Sequence, residues 1–194
     1  MKQIKQFCLV AMAAFIGTTS SAQMSDNMDN GMVKTVEVGG APMYPTKNII
    51  ENAVNSKDHT TLVAAVKAAG LVETLQGAGP FTVFAPTNSA FSMLPAGTVD
   101  NLLKPENKAM LTGILTYHVV AGRLNASDLA AKIKAGKGSA ELSTVAGGKL
   151  WVMMKGKNIV LKDEKGGMAM VTIKDVNQRN GVIHVIDHVL LPGQ

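Results

Sequence analysis

Cysteine is almost absent from this chain of 194 residues, and aromatic side chains are few. The single cysteine, Cys8, lies in an apolar stretch near the N-terminus. A chain with one such cysteine forms no internal disulfide, and we expect neither a disulfide framework nor a cysteine-based zinc site. Aromatic residues make up 4% of the chain, which leaves few rings on which nucleic-acid bases could stack.

Charge is also scarce, at 17% of residues, and the 19 basic side chains exceed the 14 acidic ones by five. Two of the basic residues, Lys2 and Lys5, lie at the very start of the chain. Without them the net charge is about +3, and it is spread along the sequence. A nucleic-acid partner is therefore not expected. The 46% of hydrophobic residues are enough for a packed core.

The N-terminus has the features of a secretion signal. The two lysines precede an apolar run over residues 7–17, and Ser20 and Ala22 supply small side chains at the −3 and −1 positions of a cleavage site. The run is shorter than the roughly 20 residues that a membrane-spanning helix needs. The sequence predicts a signal peptide over residues 1–22, cleaved after Ala22, and a secreted or periplasmic product without stable membrane insertion.

The rest of the chain divides into a lead-in and one domain. Residues 23–45 are polar and contain glycine and methionine, and we interpret them as a flexible segment. From Thr46, which we expect to cap a helix, the first half favours helices. After Ser139, short apolar runs alternate with glycine-containing turns and predict a strand meander. This order indicates a single α+β domain over residues 46–192.

Three sequence blocks carry a family resemblance. They are FTVFAPTNSAF at residues 81–91, YHVV at residues 117–120, and NGVIHVIDHVLLP at residues 180–192. Their order and spacing resemble the fasciclin (FAS1) domain. The resemblance implies a FAS1 fold, a sandwich-like wedge of about seven β-strands flanked by helices. It also implies a non-catalytic adhesion or binding module, a monomer or weak homo-oligomer, that contacts a cell-surface or matrix protein or a polysaccharide.

The same resemblance suggests contact residues. In animal members, a Tyr-His pair and an Asp-Ile pair before the closing block are implicated in integrin-type adhesion. The corresponding residues are Tyr117 and His118, which we place on a predicted strand, and Asp175 and Val176. The residues around Asp175 differ from that pattern. The alternative for His118 is a buried imidazole that holds its strand by a hydrogen bond.

The sequence lacks the common catalytic motifs, and its one candidate pair of metal-binding histidines has an unsuitable spacing. The chain contains no Gly-x-Ser-x-Gly elbow and no phosphate-binding glycine loop, so we expect neither an enzyme nor a cofactor. His184 and His188 lie in a predicted strand, where four residues span about 13 Å, too far for one metal ion.

The 12 methionines leave one alternative function open. Met24, Met28 and Met32 recur every four residues, and Met43 follows. Thioethers are soft ligands that suit Cu(I), so this N-terminal segment could belong to a copper-binding protein. The competing interpretation is that methionine only fills gaps in a core or occurs in a tail. A further group, Met153, Met154, Met168 and Met170, falls on predicted strands.

Overall fold

A computed structural model describes residues 35–193 of the chain. The predicted signal peptide, with Met24, Met28 and Met32 of the lead-in, lies outside the described residues. Nine strands are present in this range: β1 Val36–Val38, β2 Ala41–Met43, β3 Phe81–Pro86, β4 Val119–Ala121, β5 Ser139–Ser143, β6 Lys149–Lys155, β7 Asn158–Lys162, β8 Met168–Gln178 and β9 Gly181–Ile186.

Seven helices occupy the first two thirds of the described chain. They are α1 Ile49–Ala53, α2 Thr60–Ala69, α3 Val72–Gln76, α4 Asn88–Ser92, α5 Thr98–Leu102, α6 Lys108–Tyr117 and α7 Ala126–Ala135. The helix-rich half and the strand meander confirm the predicted α+β class. Gly70 ends α2 at φ +74°, the left-handed conformation that glycine adopts without steric cost. Asn48, rather than the expected Thr46, caps α1, in a reciprocal pair with Glu51.

Seven of the strands form one sheet in the order β4-β3-β9-β8-β7-β6-β5. The central pair, β3 and β9, is parallel, and the other neighbours are antiparallel. The two ends of this sheet also meet, since Val120 of β4 pairs with Thr144, the residue that follows β5. The number of strands agrees with the prediction, but the sheet is barrel-like. The expectation of a sandwich is therefore wrong, because one sheet curls until its own edges touch.

Apolar side chains pack on both sides of the central strands. All six residues of β9 are buried, as expected of a strand that is covered on both faces. One hydrophobic cluster joins the helices α1–α6 to one face of β3 and β9. A second fills the space enclosed by α7 and the meander β5–β8. Phe84 and Ile186 contribute to this second cluster, whereas Val83 and Val185 contribute to the first.

Residues 36–43, part of the segment 23–45 that was predicted to be flexible, have regular structure. β1 and β2 form a hairpin in which Val36 pairs with Met43, and Val38 and Met43 are each 3% exposed. The prediction of a flexible segment is wrong for residues 36–43. The pattern was missed because each strand is three residues long and supplies only one or two buried side chains.

The Tyr-His pair also lies in a different element from the one predicted. Tyr117 is the last residue of α6, and His118 continues the helical conformation with a bond from its N–H to the carbonyl of Leu115. The strand begins only at Val119. The two β-branched valines signalled a strand correctly, but the helix extends two residues further than the sequence pattern indicates.

Candidate functional site

His118 is buried and holds two backbone groups. Its side chain Nδ1 donates to the carbonyl of Ile114 at 2.8 Å, and Nε2 accepts from the N–H of Leu190 at 3.0 Å. A carbonyl only accepts and an N–H only donates, so these two bonds require the neutral ring with its hydrogen on Nδ1. Burial lowers the pKa of His118 to about 4, which favours the same neutral form.

Tyr117 is fully buried and joins α6 to the meander. Its hydroxyl donates to the carbonyl of Lys149 at 2.6 Å and accepts from the N–H of Glu164 at 3.2 Å. Burial raises the pKa of Tyr117 to about 12, so the hydroxyl remains protonated at neutral pH. The rings of Tyr117 and His118 meet edge to face, with centroids 6.5 Å apart.

Two carboxylates that the sequence analysis did not single out hold the C-terminal segment next to this pair. Asp163 is 3% exposed, and its Oδ2 accepts from the N–H of Leu191 at 2.9 Å. Glu164 accepts from the N–H groups of Lys149 and Gly193, and these bonds lower the pKa of Glu164. Together with His118, the two carboxylates fix the end of the chain against the sheet. The sequence could not indicate this role, because an Asp-Glu pair at a turn is usually exposed to solvent and makes no such bonds.

Asp175 occupies a structural position as well. It lies in β8, where the register with β9 shifts between Ile173 and Val176, and has a positive φ of 59°. Its Oδ1 accepts from the N–H of Ala126 at 2.6 Å, so a residue from a distant strand caps the first turn of α7. The N–H of Asp175 donates to His184 Nδ1, and His184 Nε2 donates to the carbonyl of Leu124. Burial lowers the pKa of His184.

Val176 is 1% exposed and belongs to the cluster under the helices. Val176 and His118 both border an internal apolar cavity of about 40 Å³. Organic ligands occupy pockets of roughly 300–1,000 Å³, so this cavity is too small to bind one. Three of the four expected contact residues, Tyr117, His118 and Val176, are therefore inaccessible to a partner in this conformation. Asp175 is the one that reaches the surface.

Asn180 is a further residue whose role the sequence did not reveal. Its Oδ1 accepts from the N–H of Ile49, and its Nδ2 donates to the carbonyls of Leu75 and Gly77. An Asn-Gly pair such as Asn180-Gly181 is typical of a turn with a positive φ, but neither residue has a positive φ here. Glycine is required there because a Cβ would collide with the carbonyl oxygen of Phe81.

Within residues 35–193, no three His, Cys, Asp or Glu side chains are grouped as metal ligands. His184 lies in the core, whereas His188 lies at the surface and bonds Asp187. Of the four methionines considered for copper, only Met43 is described, and its burial in the β1–β2 hairpin leaves it unavailable as a ligand. None of the helices in the described range is both long and apolar enough to cross a membrane.

Comparison with known proteins accounts for this arrangement. A family model for the fasciclin domain matches residues 57–192. The chain belongs to the fasciclin family. The chain is 44% identical to protein sll1483 of Synechocystis over 184 residues. The aligned residues are 95% of this chain and 92% of that protein.

Two further matches carry descriptive names. The cell surface glycolipoprotein MPB83 of Mycobacterium bovis is 38% identical over 145 residues, which are 72% of this chain and 58% of that protein. Among solved structures, a FAS1 domain pair from the insect cell adhesion molecule fasciclin I is similar with a TM-score of 0.53 at 26% identity. That match covers 67% of this chain and 43% of the insect chain, so the predicted FAS1 fold is confirmed.

Proposed function

We propose that this fasciclin domain is a secreted or periplasmic, non-catalytic binding module for a protein or polysaccharide of the cell surface or matrix. One observation carries the proposal. The polar side chains that could perform chemistry, above all His118, His184 and Asp175, are already bonded to backbone groups of the scaffold. The insect relative, a cell adhesion molecule, and the mycobacterial one, a cell-surface protein, support the same class of function.

The export part of the proposal rests on the N-terminal sequence. We expect the mature protein to begin at Gln23, because cleavage follows small residues at positions 20 and 22. N-terminal mass spectrometry of the native protein, after fractionation of the cells, tests this. An intact Met1 or Lys2 start on protein recovered from the cytoplasm contradicts it.

The residues that the sequence analysis expected to contact a partner have a supporting role in this proposal. Because Tyr117, His118 and Val176 are buried, they contribute to a contact by fixing the surface above them and not by touching the partner. Asp175 is half-buried, and its carboxylate is bonded to the first turn of α7. Partner contacts are then made by exposed side chains of the helices or of the meander.

Binding of cell-envelope material by the purified mature protein tests the proposal. We expect retention of a defined envelope component on the immobilised folded protein and none on the same protein after unfolding. Two exposed methionines, Met110 on α6 and Met154 on β6, provide matched charge variants on different elements. If the partner contacts α6, Met110→Lys should lose binding and Met154→Lys should keep it. If the partner contacts β6, the reverse is expected.

A screen with fluorogenic esters and glycosides separates the binding module from an enzyme. We expect no turnover above that of buffer. Retention of no envelope component, together with saturable hydrolysis of one substrate class, would overturn the proposal.

A further inference from the structure

The outer face of the meander concentrates methionine next to the only tryptophan of the chain. Trp151 and Met153 lie on β6, and Met168 and Met170 lie on β8, with β7 between them. Met168 and Met170 are 56% and 37% exposed, and Trp151 and Met153 are partly exposed. Side chains alternate across a strand, so these four residues share one face. We call this surface the methionine face.

The strand register places two of the methionines, Met153 and Met170, directly opposite the same residue of β7. Met153 pairs with Val160 of β7, and Val160 pairs in turn with Met170. Ile159 and Leu161 belong to the inner cluster, so Val160 must point outwards, yet it is only 5% exposed. Its neighbours on the outer face therefore cover it, and the two directly opposite are methionines. The register therefore places Met153 and Met170 on either side of Val160 on this face.

The spacing suits a shared metal ion. Neighbouring strands lie about 4.8 Å apart, so the Cα atoms of Met153 and Met170 are about 10 Å apart across β7. Met168 is two residues from Met170, about 7 Å along β8. A methionine side chain has three rotatable bonds, which allow thioethers at these separations to turn towards one ion.

Charge near the methionine face permits a monovalent cation. Lys162 pairs with both Trp151 and Met168, but its long side chain is exposed and can carry the ammonium group away into water. At the other end, Asp187 lies opposite Met170, and its Oδ1 accepts from the N–H of Met170 at 2.7 Å. Its carboxylate offers compensating negative charge.

We propose that Met153, Met168 and Met170 bind Cu(I) at the outer face of the sheet, beside the ring of Trp151. Neutral thioethers are soft ligands that favour Cu(I), and they need no deprotonation to bind it. The indole ring can add a cation–π contribution. This site differs from the N-terminal set considered in the sequence analysis and requires none of Met24, Met28, Met32 or Met43. It is also independent of the proposed adhesion function.

Titration with Ag(I), a redox-inert ion of the same soft character, tests the site in the full-length mature protein, and anaerobic Cu(I) in ascorbate repeats it. Because Trp151 is the only tryptophan, its fluorescence reports binding at this face. We expect saturable quenching at one ion per chain. The triple variant Met153→Leu/Met168→Leu/Met170→Leu should bind about tenfold more weakly or worse, since it lacks the ligands. Leucine has a similar volume, so the fold should be retained, which circular dichroism checks.

Met154 supplies the matched control, because it follows Met153 on the same strand and points to the opposite face while remaining 42% exposed. Met154→Leu and the tail variant Met24→Leu/Met28→Leu/Met32→Leu should bind as the unaltered protein does. Methyl NMR of labelled methionine gives a second readout, in which the signals of Met153, Met168 and Met170 shift with Ag(I). Unchanged affinity in the triple variant, loss of binding in the tail variant, or no saturable binding at all would overturn the proposal.

Discussion

At the scale of single residues, most buried polar side chains are bonded to backbone groups, whereas Ser56 and His59 bond each other. His118 shows this most clearly, since both ring nitrogens are used and both partners belong to different segments, α6 and the closing stretch. A buried polar group without a partner costs about 1–3 kcal/mol, so removal of one such side chain affects more than its own contacts. Sequence motifs alone do not identify contact residues, because a side chain that is buried, as that of His118 is, cannot touch a partner.

His118→Ala should lower the free energy of unfolding by about 2–4 kcal/mol. The change leaves a small cavity and deprives the Ile114 carbonyl and the Leu190 N–H of their partner. A urea titration measures the loss. His188→Ala is the control, because that imidazole is on the surface, and it should remain within about 0.5 kcal/mol of the unaltered protein. Equal stability of the two variants would contradict the structural role.

Acid should destabilise the fold through the same residue. The folded-state pKa of His118 is about 4 and the ordinary value is 6.5, so between these pH values the unfolded chain binds a proton that the folded chain does not. The free energy of unfolding should therefore be highest above about pH 6.5. Between pH 6.5 and pH 4 it should fall by about 3 kcal/mol. The lowered pKa values of His59 and His184 act in the same direction.

Urea titrations across this pH range measure the effect. His118→Gln removes the titrating group, so its stability should depend less steeply on pH than that of the unaltered protein. An identical dependence in both proteins would show that His118 does not remain neutral in the folded state.

Asp175 is expected to matter for stability, because its carboxylate bonds the first turn of α7. Asp175→Ala removes the acceptor for the N–H of Ala126 in the first turn of α7 and places alanine at a positive φ, so we expect a loss of about 1–3 kcal/mol. Asp175→Asn keeps a side-chain oxygen and a residue type that tolerates this conformation, and it should lose less. Thermal or urea unfolding ranks the two variants, and a silent Asp175→Ala would contradict the capping role.

At the scale of elements, sequence patterns predicted the strands that carry long apolar runs and failed where the signal is short. Residues 81–84 and 182–186, in β3 and β9, are apolar except for Thr82 and His184, a pattern typical of a strand buried on both faces. The β1–β2 hairpin was missed, since three-residue strands give no periodicity. Tyr117, His118 and Val176 were expected as contact residues, but they are buried, and burial depends on contacts between distant elements.

Asn180 joins three elements and shows how much one side chain can connect. It bonds the start of α1, the end of α3 and the segment that leads into β3. Asn180→Ala leaves one N–H and two carbonyls without their partner, and we expect a loss of about 2–4 kcal/mol in a urea titration. Asn177→Ala is the matched control, because Asn177 is exposed on β8 and should change stability by about 0.5 kcal/mol or less. Similar losses in the two variants would contradict the connecting role.

At the scale of the whole molecule, the fold depends on burial, with two hydrophobic clusters on either side of the central strands. The only cysteine, Cys8, lies in the predicted signal peptide, so we expect the mature chain to have no thiol for a disulfide. The methionine face lies on the outer side of the sheet and contributes to neither cluster. Metal bound there is expected to associate with an already folded domain.

Thermal unfolding of the mature protein should therefore be insensitive to chelator and to reductant. We expect melting curves with and without EDTA and dithiothreitol to agree within about 2 °C, less than the shift that about 1 kcal/mol produces in a domain of this size. The reason is that apolar burial, which neither reagent alters, supplies the stability. Calorimetry on protein purified without added metal measures this, and the Met153→Leu/Met168→Leu/Met170→Leu variant should give the same superposition. A fall of many degrees with chelator alone would reveal a structural metal that the core requires, and a fall with reductant alone would show that Cys8 is retained and joins two chains by a disulfide.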